Sequence, residues 1–455
     1  MRFDSIIVGA GIAGITAARL LHGAGRRVVV LEARDRVGGR TWSDHDPGFS
    51  LDRGASWIHG VQGSPLIDLV EAFGIDTVEF TVGSFQAGGR PMANYDRARE
   101  LMDSDAANRW VADVEVADAQ LHRAIAASRS GETYLDVTER ALEALDWDAE
   151  RKERVRSFFR RRVEEQCGAN IEDLAAHGLD EDIVDGDEVV FPNGYDEITR
   201  TLAQGLDVRL GHEVTSIEWS ESGVQVATAG ESFTASSVIV TVPLGVLKAG
   251  RITFSPELPD PVAGSIDRIG MGVFNKVFLQ FPERFWGDGL YVLRQLGRSD
   301  ELWHSWYDVS AAVGGRPTLV ALAGGRSGRQ VEAMSDDQVV GSVVNSLRQL
   351  CGDAVPDPVG YWITRWAADP FALGSYSYVA VGACHADHDA MATPVGGVLH
   401  VAGEATWGDN PATVDGALLS GHRAAERVVG RAIDLRELRN RPAVVPGEGV
   451  NGVAT

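Results

Sequence analysis

The sequence predicts an α/β fold with a second, α+β part, and three observations predict it. At the N-terminus FDSIIV reads as a short apolar strand, GAGIAG follows at once, IAGITAARLLHGAG has helical spacing and RVVVLE reads as a second strand. Much later, DVRLGHEVTSIEW, GVQVATA and SSVIVTVP alternate like strands with turn residues between them. Between these regions ANYDRARELM and ERALEALDWDAERKERVRSFFRRRVEE carry helical periodicity. The first observation is a Rossmann-type unit, the second adds further strands, and the third adds helices in a chain long enough for a second domain.

In the N-terminal βαβ unit each glycine has a task. Gly9 permits the tight turn, Gly11 lets the backbone approach a pyrophosphate, and Gly14 allows close packing of helix on strand. The helix N-terminus then faces the phosphates, and Glu32, closing the second strand, is placed to accept hydrogen bonds from a ribose. Downstream, LEARDRVGGRT sets Gly38 and Gly39 before Arg40. A second close backbone approach beside a guanidinium suits an extended FAD better than NAD.

Composition bounds the rest. A chain of 455 residues, 44% hydrophobic and 24% charged, is long enough for two cored domains. With 42 basic and 65 acidic side chains the net charge is -23, which disfavours nucleic acid and anionic membrane as partners. Cys167, Cys351 and Cys384 are far apart and lack metal-ligand spacing, so neither a disulfide framework nor a metal site is expected, and a reducing compartment fits. No apolar stretch is long enough to span a bilayer, and the chain enters a strand pattern at Phe3, so a cytoplasmic protein is expected. From about Arg436 the residues read as a loose tail. The basic stretch RKERVRSFFRRR is flanked by acids and reads as a solvated helix face.

One charge needs an explanation. In MGVFNKVFLQF, strand alternation puts Lys276 on the same face as Phe274 and Phe278. An ammonium in apolar surroundings is costly, so the bland reading is an edge-strand lysine reaching water.

The combination GAGIAG, LEARDRVGGRT, DRGASWIHG, GMGVFNKVFLQF, GSYSY and VAGEATWGDNPATVDGALLSG, running in order from residue 4 to about 430, resembles the flavin-containing amine oxidases. Within them it looks most like the polyamine oxidase branch, with kinship to the lysine-specific histone demethylases. The resemblance implies a discontinuous FAD-binding domain, assigned to residues 1–85, 205–250 and 396–435, and a substrate-binding domain over 86–204 and 251–395, with 436–455 as a tail. The sequence shows neither the added chromatin-binding domain and long helical insertion of the histone demethylases nor the membrane tail of the mitochondrial monoamine oxidases, so a free-standing soluble oxidase is expected.

For the cofactor, the resemblance puts Arg34 and Arg40, Trp57 and Trp366 along FAD, brings the backbone of Val214 to the adenine, and gives Glu404 the ribityl or phosphate side. It points the helix after Thr413 at the pyrimidine edge of the flavin, where its positive end favours the reduced form. Ser375 stands where monoamine oxidases carry the flavin-linked cysteine, so FAD is expected to be noncovalent.

For catalysis, the resemblance gives Lys276 a water held against flavin N5, makes Tyr376 the aromatic wall, and sets Thr413 where monoamine oxidases have a second tyrosine, leaving a half-open cage. His59, in WIHG, matches a histidine near the amine in animal polyamine oxidases. Glu164 aligns with an active-site carboxylate, its neighbour Glu165 remaining an alternative. Ten acidic side chains between residues 164 and 188, without Lys or Arg, form a field able to draw in a polycation, although such runs are usually solvated faces. The expected partners are an amine or polyamine and O2. A monoamine or amino-acid oxidase, a flavin desaturase and a catalytically silent FAD-bound interaction protein stay open; for the amino-acid oxidase no cation for a substrate carboxylate is assignable.

Overall fold

In the computed structural model, residues 2–46, 49–82, 91–179, 185–298 and 301–440 are described. The N-terminal strand Arg2–Val8 pairs in parallel with Val28–Leu31 on one side and Ser232–Val240 on the other. Ile6, Ile7, Val8, Val29, Val30 and Leu31 are all buried, as expected of parallel strands covered on both faces. The eight-stranded sheet is completed by Val208–Arg209, Val214–Ser220, Gly223–Thr228, Thr253–Ser255 and Leu399–Val401, the last pairing in parallel with Ser232–Val240. Segments distant in sequence thus converge on one glycine turn.

Helix Ile12–Gly23 covers one face and packs on helix Val414–Val429, sharing a core that includes Ile15, Leu20, Leu21 and Leu418. A Cβ on Gly421 would lie 2.1 Å from the Ala13 carbonyl oxygen, so only glycine permits this crossing.

A second sheet runs in the order Gly360–Ile363, Phe274–Gln280, Thr318–Gly324, Ser305–Asp308, Val292–Gln295, Met92–Tyr95. Lys276 is therefore on an interior strand, hydrogen-bonded on both sides, and is 5% exposed. The edge-strand reading fails, because the pairing partners come from far along the chain. Helices Ser104–Ala126, Tyr134–Glu143 and Ala149–Cys167 form a separate core around Val137, Phe159 and Val163.

The basic stretch on Ala149–Cys167 also differs from expectation. Arg151 and Arg154 pair with Asp113, Arg156 with Glu139, Arg162 with Asp118, and Arg161 with Glu164. Except for Arg161–Glu164, which lies within the helix, these are ion pairs between helices rather than a solvated face. At the C-terminal end Leu435–Arg439 is a short 3-10 turn that buries Leu438, so the start placed at about Arg436 for a loose tail falls inside it. Residues 441–455, and positions 180–184 of the acidic stretch, lie outside the described residues.

Candidate active site

A single cavity of about 1250 Å³ joins the glycine turn of the first sheet to the face of the second that carries Lys276. A drug-sized site occupies roughly 300–1,000 Å³, so this one has room for a dinucleotide and a substrate together.

The glycine end is built from backbone. Gly9 (φ +104°) and Gly38 (φ +102°) adopt conformations that disfavour other residues, and Gly11 bridges to Gly38. A Cβ on Gly14 would lie 2.1 Å from the Gly9 carbonyl oxygen, which is the tight helix-on-strand packing expected of it. Gly11 is the N-cap of helix Ile12–Gly23 and supplies no side-chain cap, leaving first-turn N–H groups toward the cavity that Gly11, Gly38 and Gly39 line. Glu32 braces the turn, accepting from the Ala10 N–H at 2.7 Å and the Arg34 N–H at 2.9 Å, and it also lines the cavity. Arg34 is paired with Asp369 at 2.6 Å. Val214 and Trp366 reach the same cavity, Trp366 resting edge-on against Trp42.

Arg40 donates to Glu404 at 2.7 Å and to the Ser375 carbonyl at 2.9 Å. Burial alone raises the Glu404 carboxyl, but Arg40 and Ser377 outweigh it and hold the group below its ordinary value. Ser375 accepts from the Phe274 N–H at 2.7 Å and donates to its carbonyl at 2.9 Å, pinning GSYSY to the Lys276 strand. Uncapped amides, two arginines and open glycines fit a flavin dinucleotide.

At the other end the Lys276 ammonium donates to the Asp52 carbonyl at 3.3 Å, to the Gly54 carbonyl and to the Ser56 hydroxyl, with the Trp57 ring 5.1 Å away. Burial pulls Lys276 down to about 8, opposed by Asp52; burial also pushes Asp52 up to about 6. Tyr376 donates to the Glu165 carbonyl at 2.9 Å and meets Phe274 at 5.9 Å between ring centres; burial raises its phenol well above the ordinary value. Thr413 lines the cavity while its hydroxyl accepts from the Gly416 N–H at 2.9 Å as the cap of helix Val414–Val429. His59, with a side chain 61% exposed, sits at the rim against Glu188.

Glu164 is a correction. Its carboxylate is buried, turned to Arg161 at 2.6 Å, and is not part of the cavity wall. Glu165 lines the wall instead, 21% exposed, and bonds to His304 at 2.8 Å. Burial pushes Glu165 up, but His304, Arg294 and Ser305 more than reverse this, leaving it at about 2; burial and Arg161 push His304 down. Helical phase decides between the two acids: Ser157, Arg161 and Glu165 recur every fourth residue and all face the cavity.

Sequence reasoning missed His304, Arg294, Asp52 and Ser56. Arg294 lines the cavity at 9% exposure; its hydrogen bond is to the Tyr307 hydroxyl at 3.4 Å, and no carboxylate of the described residues is within 4.0 Å. Arg294 and His304 stand in no motif, and only tertiary pairing brings them in; Asp52 and Ser56 lie within DRGASWIHG, where the signal was the motif itself rather than any pairing with Lys276.

The family description "flavin containing amine oxidoreductase" matches residues 12–429. The chain belongs to this amine oxidoreductase family. It is 33% identical over 449 residues to polyamine oxidase 2 of Arabidopsis thaliana, covering 92% of this chain and 87% of that protein. It is also 33% identical over 443 residues to lysine-specific histone demethylase 2 of Homo sapiens, covering 93% of this chain and 53% of the demethylase, about half its length. Among solved structures, putrescine oxidase bound to putrescine superposes with a TM-score of 0.78 at 25% identity, over 95% of this chain and 100% of that one. Cyclohexylamine oxidase from Brevibacterium oxydans shares the fold, with a TM-score of 0.78 at 23% identity over 94% of this chain and 99% of that one. The amine oxidase fold expected from the motifs is the fold of this protein.

Proposed function

We propose that this amine oxidoreductase is a noncovalent FAD enzyme that oxidises polyamines, with O2 as acceptor, and works in the cytoplasm without nucleic acid or membrane. The overall reaction takes amine, water and O2 to an aldehyde, a smaller amine and hydrogen peroxide. Bound flavin supplies the hydride acceptor for the carbon beside the reacting nitrogen and returns the electrons to oxygen.

The observation that carries this reading is the sharing of one cavity by the glycine cradle, the buried Lys276 and the ionised Glu165. Gly11, Gly38 and Gly39 offer backbone to a pyrophosphate, and Arg40 supplies a cation beside them. Trp366 and Tyr376 supply aromatic wall to the same cavity. Lys276, drawn to about 8, holds a proton near neutral pH at a nitrogen that releases it under mildly alkaline conditions. Glu165 stays ionised and offers an acceptor to an ammonium away from the reacting nitrogen, fixing the chain's register. Polyamine oxidase and putrescine oxidase among the relatives support the same substrate class.

Anaerobic mixing with a panel of amines, following loss of flavin colour, tests the reading. Spermine is expected to bleach the flavin with a higher specificity constant than benzylamine; equal constants defeat the polyamine assignment. A second reading, an amino-acid oxidase, has one observation in its favour. Arg294 is a cavity-facing cation, paired at 3.4 Å with a phenol, that a substrate carboxylate suits. Amino acids in the same panel decide between the two.

A further inference from the structure

Lys276 is gripped by one turn of chain. Two of its acceptors, the carbonyls of Asp52 and Gly54, are main-chain; the third is the Ser56 hydroxyl. The turn is mounted on the arginine segment of the cofactor cradle. The N–H groups of Arg53 and Gly54 donate to the Trp42 carbonyl at 2.8 and 3.1 Å, and that of Ala55 to the Arg40 carbonyl at 3.1 Å. A Cβ on Gly54 would stand 1.7 Å from the Arg40 carbonyl oxygen, so the turn has no freedom to retreat.

The three acceptors differ in what they can do. An ammonium brings three donors; a neutral amine brings two and a lone pair that needs a donor in return. A carbonyl only accepts, whereas a hydroxyl does both. The Ser56 hydroxyl also has a place to send its proton when it accepts from Lys276, the Asp52 carbonyl at 3.4 Å.

We propose that Ser56 is the positioning residue of Lys276, a hydroxyl rotor that keeps the nitrogen in one place in both of its protonation states. With the ammonium, the hydroxyl accepts from Nζ and donates to Asp52; with the neutral amine, it turns and donates to Nζ. The proton that Lys276 loses goes to bulk solvent. Lys276 then changes charge without moving relative to the cradle. The proposal rests on the reading of Lys276 as the polar group beside the flavin.

The charges around Lys276 leave this task to Ser56. The Asp52 carboxylate is engaged by the Ser43 hydroxyl and the Tyr195 N–H, with Asp196 beyond it. Arg53 is turned to Asp44 and the face of Trp42. The flanking strands contribute Leu322 and Thr364, which carry no charge. Burial brings Lys276 to about 8, so both states are populated in mildly alkaline solution.

The test is the titration of the Lys276 Cε resonance in holoenzyme carrying ¹³C-labelled lysine, assigned with Lys276→Met, and repeated after flavin removal. Hydrogen bonds to a charged group are the stronger ones, so Ser56→Ala removes more from the ammonium than from the amine, and the midpoint falls by about one unit. Ser56→Thr, which keeps the hydroxyl, stays within about 0.3 units of the parent. The alkaline limb of the flavin reoxidation rate moves with the resonance. Should Ser56→Ala not fold, Ser56→Cys serves, and its weaker thiol gives an intermediate midpoint. Coincident titrations of Ser56→Ala, or of Ser56→Cys in its place, and the parent overturn the proposal, as does Ser56→Thr shifting as far as Ser56→Ala. The titration is independent of whether any amine is oxidised, so loss of the functional reading leaves it readable.

Discussion

Arg40 and Glu404 stand 364 positions apart in the chain and are joined by a hydrogen bond of 2.7 Å. The bond ties the second glycine pair to the 3-10 turn Glu404–Thr406 that follows strand Leu399–Val401. Removing one partner of a buried pair strands the other, at a cost of about 3–5 kcal/mol when both are fully buried. Arg40 keeps 22% exposure, so Glu404→Ala is expected at the low end, about 3 kcal/mol, in denaturant unfolding. A loss under about 0.5 kcal/mol, the size of an ordinary surface change, would show that the pair does not tie the two segments.

Lys276→Met keeps the shape of the strand and removes the cation. The flavin should stay bound, because the glycine cradle and Arg40 are elsewhere in the cavity. Rapid-mixing measurements should show flavin reoxidation slowed on the order of a hundredfold, the scale of a lost proton-handling group. Unchanged half-reactions would remove Lys276 from the chemistry.

What was legible in the sequence was local. Gly9, Gly11 and Gly14 announce themselves because strand, turn and helix follow within a few residues, and the close contact of Gly14 with Gly9 confirms the packing they implied. Lys276 was visible as a misplaced charge, but its interior strand position depends on partners at 318–324 and 360–363 that no local pattern specifies. Glu164 and Glu165 are adjacent, and spacing to a distant leucine does not separate them; the row through Ser157 and Arg161 does, once the helix is phased. Arg294 and His304 lie on or beside strands buried on both faces, where alternation carries no signal.

Glu165 and Glu164 should part company in experiment. Glu165→Gln removes a cavity carboxylate and is expected to raise KM for polyamines about tenfold while leaving kcat less affected. Glu164→Gln leaves Arg161 with a weaker partner and is expected to act on stability first. The acid side gives a second check. The folded value of Glu165, about 2, lies below its ordinary 4.5, so its contribution to stability is present above about pH 4.5 and is lost as pH falls toward 2. The stability difference between the parent and Glu165→Gln should therefore shrink across that window, and a constant difference would contradict the pairing with His304.

Ser375 bears on how the flavin is held. Its hydroxyl is bonded to both the N–H and the carbonyl of Phe274, and serine offers no thiol for a flavin link. Acid precipitation is expected to leave a colourless pellet and a yellow supernatant. Colour retained in the pellet means a covalent bond from another residue.

Thr413 joins two tasks whose costs can be separated. As the N-cap of helix Val414–Val429 it satisfies the Gly416 N–H and donates to the Asn410 carbonyl, both at 2.9 Å. Thr413→Ala should cost about 1 kcal/mol in thermal or denaturant unfolding, the usual worth of a lost cap. Thr413→Ser keeps the cap, so it should restore stability while enlarging the cavity by one methyl. If the half-open cage opposite Tyr376 sets substrate choice, Thr413→Ser should change the ratio of specificity constants for bulky and slender amines at nearly parental stability. A ratio that follows stability across both variants would assign Thr413 to the helix alone.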